Sequence, residues 1–376
     1  NYTVKTKDQR LAEAKAYQAS HQLYQHIFQP IENGLGNKLV IIPDGVLHYV
    51  PFAALLKNSP EGDEPVYDDF LVSNYQISYA NSARLLMQQQ ELAASKQELG
   101  NGKVLAVAPT FAPSLIGDDD IANADEVNPN QSNKRLGMRG GPLRDWLIPL
   151  THNIDEVHNI AGLLDTDTLL GIHATKEAVL TRSGNYSVLH FSTHGVLNAE
   201  NSRFNFLSFT QNYPDSLDES QIAYTAEIYA QSFAAQLAVL SLCNSGIGEL
   251  RKGEGMISMA RGFQMAGVPA TVHSLWSVDD AATADLMRHF YHYLSEGDDK
   301  DEALRNAQVE MIKAGHSPAE WAAFVPFGDM RPIDMGSAKK VWTWWISATG
   351  LAIGLTIFIG RRRSKKRRKK NYHKAA

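Results

Sequence analysis

The sequence predicts an α/β protein with a mostly parallel sheet flanked by helices, an N-terminal subdomain and a C-terminal transmembrane helix. From residue 103 onward, short apolar runs rich in β-formers alternate with helical patterns, which is typical of parallel strands joined by crossover helices. The 376 residues are 44% hydrophobic, enough for one large core or two moderate ones. An uncharged apolar stretch near the end of the chain has the length of a helix that spans a bilayer.

The first hundred residues predict a subdomain built from helices and short strands. Apolar residues recur at helical spacing up to residue 30, and Pro43-Asp44-Gly45 is a turn signal between two apolar runs. The predicted strands are residues 38–42, 46–52 and 71–79, and a helix follows at residues 83–99. We therefore expect an N-terminal subdomain over residues 1–100 and a larger subdomain over residues 101–332.

The larger subdomain is predicted to alternate between the two kinds of element. The predicted strands are residues 103–108, 167–170, 188–194, 237–243, 270–275 and 321–325. The predicted helices are residues 151–164, 175–181, 226–233, 253–267, 278–294 and 301–314. Residues 112–141 predict a long exposed loop, and residues 198–224 read as polar and irregular.

Two of the apolar runs end on reactive side chains. One ends on His194, followed by Gly195, and the other on Cys243, the only cysteine of the chain. Active sites of such sheets lie at the carboxyl ends of the strands, so we expect imidazole and thiol to lie side by side. A neighbouring base turns a weakly nucleophilic thiol into a reactive thiolate. The pattern therefore favours a cysteine hydrolase over a buried structural thiol.

The net charge of −5 combines two opposite regions. Ten of the 36 Lys and Arg residues lie beyond residue 360, whereas all 41 Asp and Glu residues precede it, so residues 1–340 carry a charge of −15. An acidic body gives no electrostatic basis for nucleic-acid binding. The sequence contains no phosphate loop and no Gly-x-Ser-x-Gly elbow, and the pair His289 and His292 lacks further ligands, so we expect neither cofactor nor metal.

Residues 341–360, VWTWWISATGLAIGLTIFIG, predict a single transmembrane helix, and residues 361–376 form a basic tail. Under the positive-inside rule the tail stays cytoplasmic, which places the acidic body outside the cytoplasm, in the periplasm. That topology requires an upstream export signal, and because the chain begins at Asn1 we expect a fragment or a processed product. A tail-anchored protein with a cytosolic body is the alternative, but ten positive charges would then cross the membrane.

These motifs resemble the CHAT domain family, caspase-like proteins related to separases in peptidase clan CD, the caspase–hemoglobinase clan. The resemblance covers roughly residues 20–330 and rests on Leu39–Leu55, the His194 and Cys243 motifs, residues 253–280 and Trp321–Asp329. The 49 positions from His194 to Cys243 are close to the caspase interval of about 50. The resemblance implies a caspase-like fold and a cysteine endopeptidase, here the C-terminal part of a tetratricopeptide-repeat CHAT protein.

The resemblance also implies roles for single residues. Cys243 attacks a peptide carbonyl as a thiolate, and His194 activates the thiol or protonates the leaving amine. The backbone N–H groups of Gly195 and Cys243 stabilise the oxyanion. Relatives that cut after Arg or Lys often carry an Asp two residues before the cysteine, where this chain has Ser241.

Three acidic residues are alternatives for a charged substrate pocket: Asp155, Glu249 and Glu254. Each is more simply explained as a helix-end or solvated charge. His190 lies four residues before His194 on the same strand face, and we interpret it as a packed strand residue rather than a second base.

The sequence therefore predicts a membrane-anchored, caspase-like cysteine endopeptidase that hydrolyses protein substrates through a Cys–His dyad. An activating protein that docks on upstream repeats is a further expectation. The alternative is a catalytically silent CHAT adaptor that binds a protein partner at the membrane. Intact His194 and Cys243 favour the enzyme.

Overall fold

The computed structural model describes residues 7–59, 65–96, 99–111, 147, 149–196, 204–212, 218–242, 249–251, 255–257 and 259–335. For residues 7–10, 249–251 and 255–257 it describes the backbone alone. The chain divides into two compact units, residues 1–335 and 336–376, and the described ranges belong to the first. The predicted transmembrane helix and basic tail, residues 341–376, lie outside these ranges. No helix within them is both long and apolar enough to cross a bilayer.

One large sheet runs through the first unit. The strands are, in chain order, β1 Lys38–Ile41, β2 Gln76–Tyr79, β3 Val104–Pro109, β4 Thr166–Gly171, β5 Val188–Ser192, β6 Gly195–Val196, β7 Phe206–Ser208, β8 Ile222–Tyr224, β9 Leu237–Ser241, β10 Glu249–Arg251, β11 Gly255–Ile257, β12 Ala270–Ser274 and β13 Phe324–Gly328. Eight of these strands pair in the order β1-β2-β13-β12-β9-β5-β3-β4. Every pair is parallel except β12 with β13. The predicted α/β class with a mostly parallel sheet is confirmed.

Helices cover both faces of this sheet. They are α1 Lys7–Leu23, α2 Leu71–Asn74, α3 Ala83–Lys96, α4 Asn153–Leu163, α5 Lys176–Arg182, α6 Thr225–Tyr229, α7 Met259–Met265, α8 Asp280–Glu296, α9 Lys300–Lys313 and α10 Pro318–Trp321. Successive residues of a strand point to opposite faces, so a strand covered on both sides is apolar throughout. In β5, Val188 packs in the cluster that contains α4 and α8, whereas Leu189 and Phe191 pack in the cluster that contains α5, α6 and α7.

Several helix boundaries follow from local chemistry. The hydroxyl of Thr175 accepts a hydrogen bond from the Ala178 N–H and caps α5, as its position in the sequence indicates. Asp279 caps α8 in the same way through the Ala282 N–H. Gly297, with φ of 96°, ends α8 in the left-handed conformation that a residue with a Cβ adopts only under strain.

Residues 46–52 do not form the strand that the sequence predicts. They lie in two 3-10 turns, Gly45–Tyr49 and Phe52–Ala54. Pro51 has no N–H for a strand ladder, and Gly45 takes a φ of 56° that starts a tight turn. The predicted strand over residues 71–79 is likewise divided, since α2 precedes β2.

Three further expectations are corrected. Within the predicted helix over residues 253–267, residues 255–257 form β11 and α7 begins at Met259, because glycines such as Gly255 weaken a helix. The predicted strand over residues 321–325 starts inside α10, which Pro318 opens and the Glu320 carboxylate caps by accepting from the Ser317 N–H. Residues 198–224, read as irregular, contain β7 and β8.

The strands of the predicted N-terminal subdomain belong to the large sheet. β2 pairs with β13, and through it the segment before residue 100 joins the strands that follow residue 101. The boundaries 1–100 and 101–332 stay a prediction.

Candidate active site

The ends of β5 and β9 lie next to each other at the carboxyl edge of the sheet. Ser192 and Ser241 are register partners, and the Thr193 N–H donates to the Ser241 carbonyl at 3.4 Å. His194 therefore follows β5 two residues after a residue paired with Ser241. Cys243, two residues after Ser241, lies outside the described residues. In the structure, the ends of β5 and β9 are neighbours, and from them the chain continues to His194 and to Cys243. The catalytic pairing of His194 with Cys243 stays a prediction.

The chain just before Cys243 is held from the neighbouring strand. The hydroxyl of Ser274, the last residue of β12, donates to the carbonyl oxygen of Leu242. Leu242 is buried in the core on the side of α7. β5 and β12 thus lie on either side of β9 at its carboxyl end, close to Leu242, the last described residue before Cys243.

His194 is only 6% exposed, and its surroundings hold it from two sides. Its ring lies edge-on to the Phe111 ring, with 4.6 Å between centroids. Its carbonyl oxygen accepts from the Ser208 N–H at 3.0 Å, and the Thr193 hydroxyl donates to the Ser208 carbonyl at 2.6 Å. The β6–β7 ladder therefore starts at the histidine itself.

Gly195 directly follows in this ladder. It faces Leu207, one step beyond the hydrogen-bonded pair of His194 and Ser208. Antiparallel ladders alternate hydrogen-bonded and non-hydrogen-bonded pairs, so the Gly195 N–H points away from β7. This orientation leaves the group available to an acceptor other than the sheet.

A carboxylate lies buried between the two strand ends. Glu156, on the first turn of α4, is 1% exposed. Its Oε2 accepts from the Ser192 hydroxyl at 2.6 Å and from the Ser241 hydroxyl at 3.2 Å. One oxygen atom thus joins β5 and β9 through side chains, two residues before His194 and Cys243.

A histidine and a tyrosine complete this polar network. His190 Nε2 lies 3.0 Å from Glu156 Oε1, but the two atoms are not aligned as a hydrogen bond, so their contact is electrostatic. His190 Nδ1 lies 3.1 Å from the Tyr291 hydroxyl of α8. Burial, and after it the charge of Glu156, raises the pKa of Tyr291 well above its usual value. Tyr291 is therefore neutral. We call Glu156, His190, Ser192, Ser241 and Tyr291 the polar network.

The sequence reasoning missed Glu156 and Tyr291. A local signal was present in two serines that interrupt apolar strands, each two residues before a reactive side chain. Their partner was not visible because Glu156 lies 36 positions from Ser192 and 85 from Ser241.

The predicted pocket residues are not brought to one place by the described structure. Asp155 has a side chain that is 69% exposed and lies 3.6 Å from His152 Nδ1. Ser241 belongs to the polar network. Glu249 lies in β10, where the structure describes the backbone alone, and Glu254 lies outside the described residues.

The starts of α4 and α8 lie together at the same edge. The Asn153 side chain donates to the carbonyl of Pro109, the last residue of β3, at 2.8 Å. The Asp280 carboxylate of α8 accepts from the His152 N–H at 2.6 Å. Both helices therefore begin near the strand ends that carry the predicted dyad.

The predicted pair His289 and His292 lines a groove of about 600 Å³ between α4 and α8, together with His158 and Arg288. Burial, and after it the charge of Arg288, lowers the pKa of His289. No group of three or more His, Cys, Asp or Glu side chains in the described part of the chain has a metal-binding arrangement.

The fold and the edge of the sheet define a class: an α/β protein with a mostly parallel sheet between helices, and with polar and titratable groups gathered where two central strands end. The chain belongs to the CHAT domain family, whose family model matches residues 18–329. The chain is also similar to two curated proteins. Tetratricopeptide repeat protein 28 of Homo sapiens is 25% identical over 347 residues, and that of Mus musculus is 24% identical. Each match covers 81% of this chain but only 13% of the relative, so the chain spans a small part of their length.

Two solved structures are similar in fold. The Arg-specific cysteine proteinase gingipain R matches 87% of this chain and 68% of its own, with 13% identity and a TM-score of 0.45. The Saccharomyces cerevisiae separase–securin complex matches 77% of this chain and 15% of its own, with 13% identity and a TM-score of 0.43. Both likenesses are distant.

Proposed function

We propose that the chain is a cysteine endopeptidase in which His194 and Cys243 form the catalytic dyad. One observation carries the proposal: the register of Ser192 with Ser241 makes neighbours of the two strand ends that lead to the imidazole and the thiol. Membership of the CHAT family, to which caspase-like peptidases are related, supports the same reaction.

The proposed reaction has two stages. His194 takes the proton of the Cys243 thiol, and the thiolate attacks the carbonyl carbon of a peptide bond. The carbonyl electrons move to oxygen, which accepts hydrogen bonds from the backbone N–H groups of Gly195 and Cys243. The C–N bond then breaks and His194 protonates the leaving amine. Water, deprotonated by His194, hydrolyses the resulting thioester and releases the thiol.

The orientation of Gly195 supports its part in this scheme. Its N–H points away from β7, and the residue directly follows the histidine. A glycine also lets a substrate carbonyl approach the backbone closely. Ser241, Asp155, Glu249 and Glu254 stay candidates for a substrate pocket.

The decisive experiment compares cleavage-site profiles of a proteome treated with the wild type and with Cys243→Ala. We expect the variant to lose cleavage by at least about 10³-fold, because it has no nucleophile. His194→Ala serves as the second dyad variant, and His292→Ala, on the exposed side of α8, is the matched control with unchanged cleavage. Circular dichroism must show all three folded. Cleavage by Cys243→Ala at the wild-type rate would end the assignment. The same profile reads out the preferred residue before the cut.

A catalytically silent adaptor is the competing proposal. It is supported by the relatives, which are named for tetratricopeptide repeats rather than for a peptidase activity. A peptide probe with an electrophilic end separates the two proposals. An enzyme becomes labelled at Cys243, and an adaptor does not.

The membrane part of the proposal concerns residues 341–376. We propose that residues 341–360 span the bilayer once, with the basic tail in the cytoplasm and the folded body outside it. Protease added to intact cells and to spheroplasts tests this topology. Digestion of the body before lysis is expected, and protection until lysis contradicts it and supports tail-anchoring.

Protein partners also belong to the proposal. The relatives carry tetratricopeptide repeats in their name, and an activating protein that docks on such repeats upstream of this chain would regulate the site.

A further inference from the structure

We propose that Glu156 is a positioning residue whose buried carboxylate ties the ends of β5 and β9 together and so sets the distance between the His194 imidazole and the Cys243 thiol. The inference rests on the proposed function, because it concerns the geometry of the same dyad. Glu156 itself contacts no reacting atom in this scheme.

The first step is the geometry of the tie. A single oxygen, Oε2, accepts hydroxyl hydrogen bonds from Ser192 at 2.6 Å and from Ser241 at 3.2 Å. Ser192 and Ser241 are register partners, each two residues before a member of the dyad. We expect a change in strand separation at this level to move the two chain segments that lead to the dyad.

The second step is the state of the backbone ladder at this level. The bond from the Thr193 N–H to the Ser241 carbonyl, at 3.4 Å, is long for an N–H···O hydrogen bond. The hydroxyl bonds to the Glu156 carboxylate lie beside this long main-chain bond, and hydrogen bonds to a carboxylate are stronger than neutral ones.

The third step is the energetic cost of the carboxylate. Burying a charge is unfavourable unless it is paired and hydrogen-bonded, and an apolar side chain of similar size would fill the space without that cost. Within the described ranges, no Lys or Arg nitrogen forms an ion pair with Glu156, and His190 is the basic group in contact with it. His190 is in turn held by Tyr291. An apolar residue has no acceptor for two hydroxyls, and this acceptor is what the carboxylate provides.

The test uses the reactivity of the thiol, which is unambiguous because the chain has one cysteine. The rate of alkylation by iodoacetamide is proportional to the fraction of thiolate. A thiol paired with an imidazole therefore reacts at pH values well below the ordinary thiol pKa of about 8.5. In Glu156→Leu we expect the alkylation rate at about pH 6 to fall about 10-fold, and the rate at about pH 9.5 to stay within about twofold. Unfolding would also lower the rate at about pH 6, because an unfolded thiol has its ordinary pKa, so circular dichroism must show the variant folded.

Two variants separate the tie from the charge. Glu156→Gln keeps an oxygen that accepts both hydroxyls, so it should keep the rate at about pH 6 within about threefold of the wild type. The double variant Ser192→Ala, Ser241→Ala keeps the charge but removes both hydroxyls, and should reproduce the Glu156→Leu profile. The double variant also replaces Glu156→Leu if that protein fails to fold. The inference is overturned if the folded double variant keeps the wild-type alkylation profile. It is also overturned if Glu156→Gln has the same profile as Glu156→Leu.

Matched controls exclude a general loss of stability. Asp301→Asn removes a second buried carboxylate, which accepts from the Gln76 side chain at 2.7 Å. Ser78→Ala removes a buried strand hydroxyl, which donates to the Leu39 carbonyl at 3.2 Å. Neither contacts β5 or β9, and both should keep the wild-type alkylation profile even where the melting temperature falls.

One further variant keeps the two proposals apart. His194→Ala should lower alkylation at about pH 6 whatever Glu156 does, because it removes the base of the dyad. An unchanged profile in His194→Ala refutes the dyad and the proposed function. A lowered rate in His194→Ala with a wild-type rate in Glu156→Leu refutes only the positioning role.

Discussion

Two buried histidines, His190 of β5 and His273 of β12, lie on opposite faces of the central sheet and have different neighbours. On the face covered by α4 and α8, His190 contacts the Glu156 carboxylate and the Tyr291 phenol. On the opposite face, His273 lies beside Leu240 in register, like Phe191. Its Nδ1 has the Thr271 hydroxyl at 3.3 Å, and its ring lies against Phe327. A buried imidazole is thus not in itself a sign of chemistry, since His190 has a carboxylate beside it whereas His273 lies against a hydroxyl and a phenyl ring.

The electrostatic surroundings of the two histidines also differ. Burial lowers the pKa of His273 to about 3, so this side chain is neutral in the folded protein. Glu156 places a negative group beside His190 that His273 lacks.

The largest expected effect is on the apolar face. Phe191 is 2% exposed and packs against Phe263 of α7, with 5.2 Å between ring centroids. Phe191→Ala leaves a cavity and should lower the unfolding free energy by about 3–5 kcal/mol, equally at neutral and mildly acidic pH. Urea denaturation at two pH values measures both quantities. A loss of unfolding free energy below about 1 kcal/mol would show that the neighbouring side chains move to fill the cavity and that this face is not tightly packed.

A smaller effect is expected from the titration of His273. The unfolded chain takes up a proton near the ordinary pKa of 6.5, whereas the folded chain does so only near 3. Stability therefore falls as the pH drops through 6.5 and continues to fall toward 3. Between about pH 7.5 and pH 5 the loss is about 2 kcal/mol.

His273→Gln tests this linkage, because glutamine does not titrate. Its unfolding free energy should change by about 2 kcal/mol less than that of the wild type between the same two pH values. His292→Gln is the control on the exposed side of α8, and should keep the wild-type pH dependence. Equal pH dependence in the wild type and His273→Gln would contradict the assignment.

The smallest effect is expected in the polar network. Tyr291→Phe removes the hydroxyl that lies 3.1 Å from His190 Nδ1 and should cost about 1 kcal/mol, the usual worth of one hydrogen bond. Tyr229→Phe, whose side chain is partly exposed, is the control with little change. Thermal denaturation compares the two. A loss as large as that of Phe191→Ala would mean that Tyr291 supports more than one contact.

The sequence predicted the central strands well because their signal is local. The apolar runs of β3, β5, β9 and β12 are buried on both faces, and each was recognised as a strand. Prediction was weaker where one residue overrides a pattern. Pro51 prevents a strand in an apolar stretch, and the glycines before α7 delay a helix by several residues.

The candidate site was predictable only in part. The apolar runs single out His194 and Cys243, and β5 ends two residues before His194. The catalytic role of the two residues stays a prediction. The polar network was not predicted, because its contacts join residues that are distant in sequence. Tyr291 and His190, for example, are 101 positions apart. Such contacts depend on how α4 and α8 pack on the sheet, and no local sequence pattern encodes this packing.

The position of β13 has a consequence for how the protein forms. This strand comes last along the chain among those of the sheet, yet it lies between β2 and β12. During synthesis β1 and β2 leave the ribosome long before residues 324–328. β2 therefore has no β13 to pair with until synthesis of the sheet is nearly finished. A product terminated ahead of β13 would leave the edges of β2 and β12 bare, and bare edges recruit strands from other molecules. Premature termination should therefore yield aggregates instead of a smaller folded protein.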